Sequence, residues 1–312
     1  MRIVIIGPGA LGCLFAARLA LAGGHDVRLL DHDSQRAALL NEQGLLFEEA
    51  GATHRLMIPV TSDPAGIADV ELLLLCVKSY GVFAALATLR DQWPAGALLL
   101  AFQNGIAHLD PLVALPASCR WGLGVTTEGA NLRAPGQVRH GGHGLTRLGF
   151  VDSQPEDARQ QLAAVAAAFN ASGLVTELVP DIRDRLWQKL LVNVGINALT
   201  ALHGCPNGKL LEIPAARERL IAAVEEAAAV AAAEGIAIPA DPVAITIQVC
   251  RDTAANISSM LQDVRRRRPT EIAAINGAVV AIAERLGLAT PVNRELTAAI
   301  RALEQGVTRD FP

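Results

Sequence analysis

No stretch of this 312-residue chain runs for about 18 apolar residues without interruption, although 51 % of its residues are hydrophobic. A bilayer-spanning helix needs about 20, so no membrane span is expected. Met1-Arg2 leads directly into Ile3-Val4-Ile5-Ile6, which is too short for a signal-peptide core and runs into glycines rather than a cleavage site. The expectation is a soluble, cytoplasmic protein. Five cysteines (Cys13, Cys76, Cys119, Cys205, Cys250) lie far apart with no CxxC pair, which excludes a disulfide framework and a cysteine zinc site and leaves them reduced and mostly buried. A formal charge of -4 gives no general affinity for nucleic acid or anionic membrane. The chain also lacks an internal repeat and a low-complexity linker; the alanine tracts at 163–168 and 227–233 favour helix and close packing instead. One basic concentration remains, four arginines at 265–268. Successive helical residues point in different directions, so this is read as a solvated helix end that suits the dipole rather than a phosphate pocket.

What is present divides the chain in two. From residue 1 to about 150, short β-rich runs (3–6, 27–30, 70–77, 98–102, 121–126) alternate with helical stretches, the pattern of a buried parallel sheet. The string QVRHGGHGLTRLGF at 137–150 has glycines between β-compatible ends and is read as a hairpin. A helix at 155–170 and a strand at 174–179 follow. Beyond Pro180 the β signal stops, and helices are expected at 184–203, 215–234, 242–267, 269–286 and 291–305, with Gly and Pro at their boundaries. The expected architecture is an α/β Rossmann-type N-terminal domain (1–180) followed by an all-α C-terminal domain (181–312).

The first strand ends in GPGALG, which places Gly7, Gly9 and Gly12 in GxGxxG spacing ahead of a helix. Each glycine has a mechanical reason: a tight turn, close approach of backbone to a pyrophosphate, and tight packing of helix on strand. The amides of Gly7, Pro8's neighbours, Ala10, Leu11 and Gly12 then form a helix start that faces phosphate. Asp31 closes the second strand, where an acid accepts hydrogen bonds from the adenosine ribose and repels a 2′-phosphate, which favours NAD(H). Lys78, just past the run 72–77, stands at a carboxyl strand end where an ammonium meets a phosphate; its plain reading is an exposed lysine. His140 and His143 raise the question of a metal, but no carboxylate or cysteine lies at ligand spacing in the sequence, so no metal is expected.

A second pattern lies at 187–203, WQKLLVNVGINALTALH, where Lys189, Asn193 and Asn197 recur every four residues in an otherwise apolar segment. On a helix they form a slanted row about 12 Å long. Burying an ammonium and two carboxamides without partners costs several kcal/mol, so either protein groups or a polar ligand must satisfy them. Spacing alone leaves both readings open. Asn207 in CPNG suits a tight turn, Ser259 a hydroxyl bonded to its own helix turn, and Glu271 a first-turn acid.

Taken together, GPGALG, Lys78, FQNG around Asn104, TTEGA at 126–130, KLLVNVGIN, CPNG and SSMLQD followed by PTEI resemble the ketopantoate reductase family, in the family's order along nearly the whole chain. A lysine with Asn four residues later also occurs in β-hydroxyacid and glycerol-phosphate dehydrogenases; the second Asn, CPNG and SSMLQD discriminate. The resemblance implies reduction of 2-dehydropantoate to (R)-pantoate, with Lys189 as the catalytic lysine. Asn193, Asn197, Asn207 and Ser259 are implied as substrate contacts, and Asn104 as a contact to both nicotinamide and substrate. Gly7, Pro8, Gly9, Ala10, Leu11, Gly12, Lys78, Ala130 and Glu271 are implied as cofactor contacts. It implies NADP(H), while Asp31, followed by His32 where some members carry an arginine, leaves NAD(H) open. The implied partner is a small 2-oxo acid, in a monomer or homodimer. The competing readings are a reductase of a different 2-oxo acid and a cofactor-sensing regulator without turnover.

Overall fold

Residues 1–67 and 69–306 are described by a computed structural model of the chain. It divides into two compact units, one of residues Met1–Gln103 and Leu109–Ile182, the other of Asn104–His108 and Arg183 onward. No helix among the described residues is long and apolar enough to cross a membrane.

The first unit begins with β1 (Arg2–Ile6), α1 (Ala10–Ala22), β2 (Asp26–Leu30), α2 (Ser34–Gln43), β3 (Leu45–Glu49), β4 (Ala52–Leu56) and β5 (Val60–Thr61). It continues with β6 (Leu72–Leu75), α3 (Val82–Leu89), β7 (Leu98–Ala101), α4 (Leu109–Val113), β8 (Arg120–Thr126), β9 (Gly129–Ala134), β10 (Gln137–Gly142), β11 (Thr146–Gly149), α5 (Glu156–Ala171) and β12 (Thr176–Leu178). Eight strands form one sheet in the order β12-β11-β8-β7-β6-β1-β2-β5. The inner pairs are parallel, with Ile3 beside Val27 and Leu72, and Leu72 beside Leu98. Buried on both faces, β6 and β7 are apolar at every position (LLLL and LLLA), as a covered parallel sheet requires. Strand order reverses beside β1, between β2 on one side and β6 on the other. A doubly wound sheet opens its ligand crevice at the carboxyl ends of the strands flanking such a reversal. Phe15 of α1 packs on Phe102 and Phe169, with ring centroids 4.9 and 5.2 Å away, and this cluster ties α1 and α5 to the sheet.

The expected 137–150 hairpin does not form. β10 pairs antiparallel with β9 and parallel with β3 in a separate four-stranded sheet (β4-β3-β10-β9), whereas β11 pairs with β8 and β12 in the large one. Gly144 lies against the backbone of Thr127 and Glu128, where a Cβ would collide, so the glycines carry the chain from one sheet to the other. β3 and β4 were not read from sequence. Their LLFEE and ATHRL segments lack a clean two-residue alternation, and β4 is largely exposed.

The second unit carries α6 (Ile182–His203), α7 (Pro214–Ala233), α8 (Pro242–Asp252), α9 (Ser259–Arg265), α10 (Asn276–Leu286) and α11 (Pro291–Glu304). Proline occupies the first turn of α7, α8 and α11, where its missing N–H costs nothing. The single helix expected at 242–267 is broken into α8 and α9. Ser258 caps the second piece by accepting from the Leu261 amide at 3.1 Å, and its hydroxyl also takes the Thr200 hydroxyl hydrogen at 2.7 Å. The helix expected to open at 269 starts only at Asn276. Residues 271–275 form turns, and the Ala274 carbonyl accepts from the Ile106 amide at 3.1 Å. Gly105, at φ +78°, lies so close to Ala274 that any Cβ would overlap its carbonyl oxygen. This contact belongs to the second unit and explains why 104–108 are part of it. The four arginines at 265–268 are exposed at the end of α9, as expected. All five cysteines are free; Cys13 and Cys250 are buried and the other three half-buried.

Candidate active site

The glycine loop follows β1 directly. Gly7, at φ +94°, passes so near the second residue after β6 that a Cβ would sit 2.7 Å from Val77 Cγ1. A Cβ on Gly12 would overlap the Gly7 carbonyl oxygen, so the first turn of α1 packs on the loop itself. Gly9 has nothing within 4 Å of its Cβ position, and as the N-cap of α1 it offers no side-chain oxygen to the helix amides. The first-turn amides of Ala10, Leu11 and Gly12, with the donor-free Pro8 before them, form an open, positively polarised surface of the kind that binds phosphate. These features fit a dinucleotide. Lys78 is half-buried and follows β6 by three residues, at the crevice edge.

Asp31 stands directly after β2. Its side chain is 0 % exposed. Arg36, from the first turn of α2, forks onto both carboxylate oxygens at 2.5 Å, and the Asp33 amide donates to one of them at 3.1 Å. The buried Asp31 carboxylate is thus paired with the Arg36 guanidinium. The Arg36 side chain is 31 % exposed, and His32 is exposed. Sequence gave no sign of this fork, because residues five apart at a strand-to-helix junction have no fixed relation.

In the second unit, α6 carries Lys189, Asn193 and Asn197 in the expected row, Asn197 buried and the other two half-buried. None of the three terminal groups has a hydrogen-bonding or ion-pair partner among the described residues. Elsewhere in this unit, buried amides do hold helices together. Asn276 donates to the Val194 carbonyl of α6 (3.2 Å) and to Asn293 Oδ1 (3.0 Å), and Asn293 donates to the Ala223 carbonyl (3.0 Å) and to Glu226 (2.8 Å). That network fixes α6 against α10, α11 and α7 and leaves the stripe's amides unspent.

Burial lowers the Lys189 ammonium from its usual value to about 8, an effect opposed by the negative charge of Glu271. Glu271 is buried and accepts from Asn104 Nδ2 at 3.2 Å. The structure thus places Asn104, Glu271 and Lys189 in one electrostatic neighbourhood. His108 is a residue that sequence reasoning missed: both its ring nitrogens are buried without a hydrogen-bond partner among the described residues, and burial pushes its pKa down to about 4, Glu271 opposing and Lys189 reinforcing. Its only signal in sequence was its place four residues after Asn104. Asn207 donates to Thr253 Oγ1 at 2.9 Å while its buried Oδ1 has no partner among the described residues, so the turn uses half of this amide. Ser258 is committed to capping, whereas the adjacent Ser259 hydroxyl has no partner among the described residues. Ala130 lies in β9 opposite His140, partly buried against the first unit's core.

A glycine-loop α/β unit joined to a helical unit with a desolvated lysine and an unspent row of amides defines a class of two-domain, dinucleotide-binding proteins. The chain belongs to the ketopantoate reductase family: its residues 3–153 match the model described as "Ketopantoate reductase PanE/ApbA" and residues 181–304 the corresponding C-terminal model. It is 39 % identical to the 2-dehydropantoate 2-reductase of Halobacterium salinarum, over 98 % of this chain and 99 % of that one. It is 37 % identical to the enzyme of that name from Vibrio cholerae, over 98 % of each. Among solved structures, a PanE/ApbA family ketopantoate reductase from Ralstonia eutropha superposes with a TM-score of 0.89 at 31 % identity, covering 99 % of this chain and 100 % of that one. D-mandelate dehydrogenase, in a ternary structure with NADH and anilino(oxo)acetate, gives 0.90 at 27 % identity, covering 98 % and 99 %.

Proposed function

We propose that this protein reduces 2-dehydropantoate to (R)-pantoate with NADP(H), the step that supplies pantothenate, in the cytoplasm. The observation that carries the reading is the row Lys189, Asn193, Asn197, whose polar ends are hydrogen-bonded or ion-paired by no group among the described residues although the helix around them is apolar and buried. A 2-oxo acid offers the acceptors they lack: two carboxylate oxygens, a keto oxygen and, in this substrate, a hydroxyl.

The nicotinamide, when bound, supplies hydride to the keto carbon. Lys189 donates a hydrogen bond to the keto oxygen and gives it a proton as negative charge develops there. Glu271 holds that proton on the lysine against desolvation, and the resulting value of about 8 keeps Lys189 an acid at neutral pH while making proton loss easier than from an exposed lysine. Asn193, Asn197, Asn207 and Ser259 orient the carboxylate and hydroxyl, and Asn104 fixes Glu271. Gly7, Pro8, Gly9, Ala10, Leu11, Gly12, Lys78 and Ala130 line the cofactor side of the proposal. Because the protonated lysine is the active form, kcat/KM should be flat below about pH 8 and fall about tenfold per unit above it. An activity that rises through that range would remove Lys189 from the role of acid.

Support for NADP(H) comes from Arg36, a half-buried arginine near the end of β2 whose charge is paired with Asp31. Arg36→Ala alone would strand the buried Asp31 charge and destabilise the fold, so the paired Asp31→Asn, Arg36→Ala variant is the better test. It should raise KM for NADPH by about tenfold or more while leaving KM for NADH within about twofold.

The likeness to D-mandelate dehydrogenase favours a second reading, a reductase of a different 2-oxo acid. Steady-state rates with 2-dehydropantoate and a panel of alkyl and aryl 2-oxo acids, each with NADPH and NADH, separate the two. The proposal expects kcat/KM to favour 2-dehydropantoate by about tenfold or more; the same margin for another acid would replace it. Cofactor binding without turnover of any acid would instead indicate a sensor.

A further inference from the structure

The sequence argues against a metal at His140 and His143 because no carboxylate lies near them in the chain. The fold supplies one. β3 and β10 run parallel with Arg139 beside Glu48, and the next pair along that register brings Glu49 to His140, 91 residues away, at 2.5 Å between Oε1 and Nδ1. At the end of β10 the pairing with β9 shifts register between His140 and Gly142, and His143 follows so placed that the two imidazoles meet edge to face, centroids 4.4 Å apart. His143 Nε2 then lies 4.0 Å from the same Glu49 oxygen. One donor atom from each of the three residues falls within 4.8 Å of the others.

We propose that Glu49, His140 and His143 form a binding site for one divalent transition-metal cation of the zinc class, with solvent or an anion completing the shell. Two imidazoles and a carboxylate are a donor set that zinc accepts in tetrahedral geometry, with bonds of about 2.0–2.2 Å and hence donor separations of about 3.4 Å. The separations of 2.5 and 4.0 Å to the Glu49 oxygen bracket that value, so a small rotation of the carboxylate equalises them.

Glu128 is the second reason. Its Oε2 accepts from His140 Nε2 at 2.7 Å, with both side chains buried. A carboxylate on the far nitrogen fixes the ring and directs the Nδ1 lone pair outward, which is how metal-bound histidines are oriented. His143 is 67 % exposed, so the site is rigid behind and open in front. Among the described residues, the cation that now faces these donors is Arg18. Its guanidinium pairs with Glu49 Oε1 and lies 3.4 Å from His140 Nδ1. Arg18 and a metal would therefore compete for the same two lone pairs, which gives the site a signature that adventitious surface binding lacks.

The test uses the full-length protein stripped of metal by chelator, titrated with Zn2+ in a calorimeter and with Co2+ in a spectrophotometer. The expected result is one saturable equivalent per chain with the visible bands of a tetrahedral cobalt complex and no thiolate charge-transfer band. His143→Ala and Glu49→Gln should abolish saturable uptake, and Glu128→Gln should weaken it by about 10- to 100-fold. Arg18→Met, which keeps an unbranched side chain but removes the guanidinium that now pairs with Glu49 and lies over the Phe47 ring, should tighten it. Because His143 is exposed, its alanine variant should fold normally, as circular dichroism would verify. No saturable uptake, uptake unchanged in His143→Ala, or weaker uptake in Arg18→Met would each overturn the proposal and leave the cluster a salt-bridge network.

Discussion

Replacing Lys189 with alanine should lower kcat for 2-oxo acid reduction by roughly 10³-fold or more, with the Kd for NADPH changed by less than about threefold. A positioned general acid contributes about 10²–10⁴, and a donor to a developing oxyanion about 10²–10³. Lys189 is asked to do both, and the buried His108, with its pKa pushed down to about 4, carries no positive charge at neutral pH to take its place. Stability should rise slightly or stay level, because a desolvated ammonium without a direct partner is removed. A loss of activity matched by a loss of folding would point to a structural role, and no kinetic effect would refute the assignment. Stopped-flow hydride transfer and fluorescence titration of NADPH, made on the same preparation, keep these outcomes apart.

The second large effect is expected at Gly12. A Cβ there overlaps the Gly7 carbonyl oxygen and lies 3.3 Å from Cys76 Cβ. The first obstacle is backbone and cannot rotate away, so Gly12→Ala must move either the loop or α1. A displacement of about 1 Å in a positioned site costs on the order of 10²-fold, and overpacking costs about 1–3 kcal/mol. The expected outcome is an NADPH Kd raised by about 10²-fold with a lowered Tm. Gly9→Ala is the informative contrast, since its Cβ meets nothing within 4 Å. It should leave Tm nearly unchanged and still weaken NADPH, because the methyl group occupies space the pyrophosphate needs. Equal effects on Tm from both variants would mean that the loop is read wrongly.

How much of this was legible beforehand depends on the range of the interactions concerned. The glycine loop, the inner strands and the Lys189 row are written in local periodicity, and they stand where spacing put them. Helix breaks at 253–258 and 269–275 were missed because they are enforced from a distance, by the Thr200 hydroxyl on Ser258 and by the Ile106 amide on Ala274. The sheet exchange at Gly144, the Asp31 to Arg36 fork and the approach of Glu49 to His140 are likewise products of register between strands or of junction geometry, which no local pattern encodes. Spacing alone left open whether the stripe's amides were structural. Asn276 and Asn293, buried amides with no periodic signal at all, carry that structural work.

The seam between Gly105 and Ala274 has a practical consequence for anyone dividing this chain. The helical unit takes in five residues that are spelled out some eighty positions before the rest of it, so a fragment expressed from residue 183 onward would carry Lys189, Asn193 and Asn197 yet lack Asn104 and His108. Glu271 would lose its Asn104 contact, and the Ala274 carbonyl its donor. Such a piece should bind a 2-oxo acid poorly however well its helices fold, whereas adding a synthetic peptide spanning 104–108 offers the missing groups in trans. The molecule is two bodies in space but not two consecutive paragraphs of sequence.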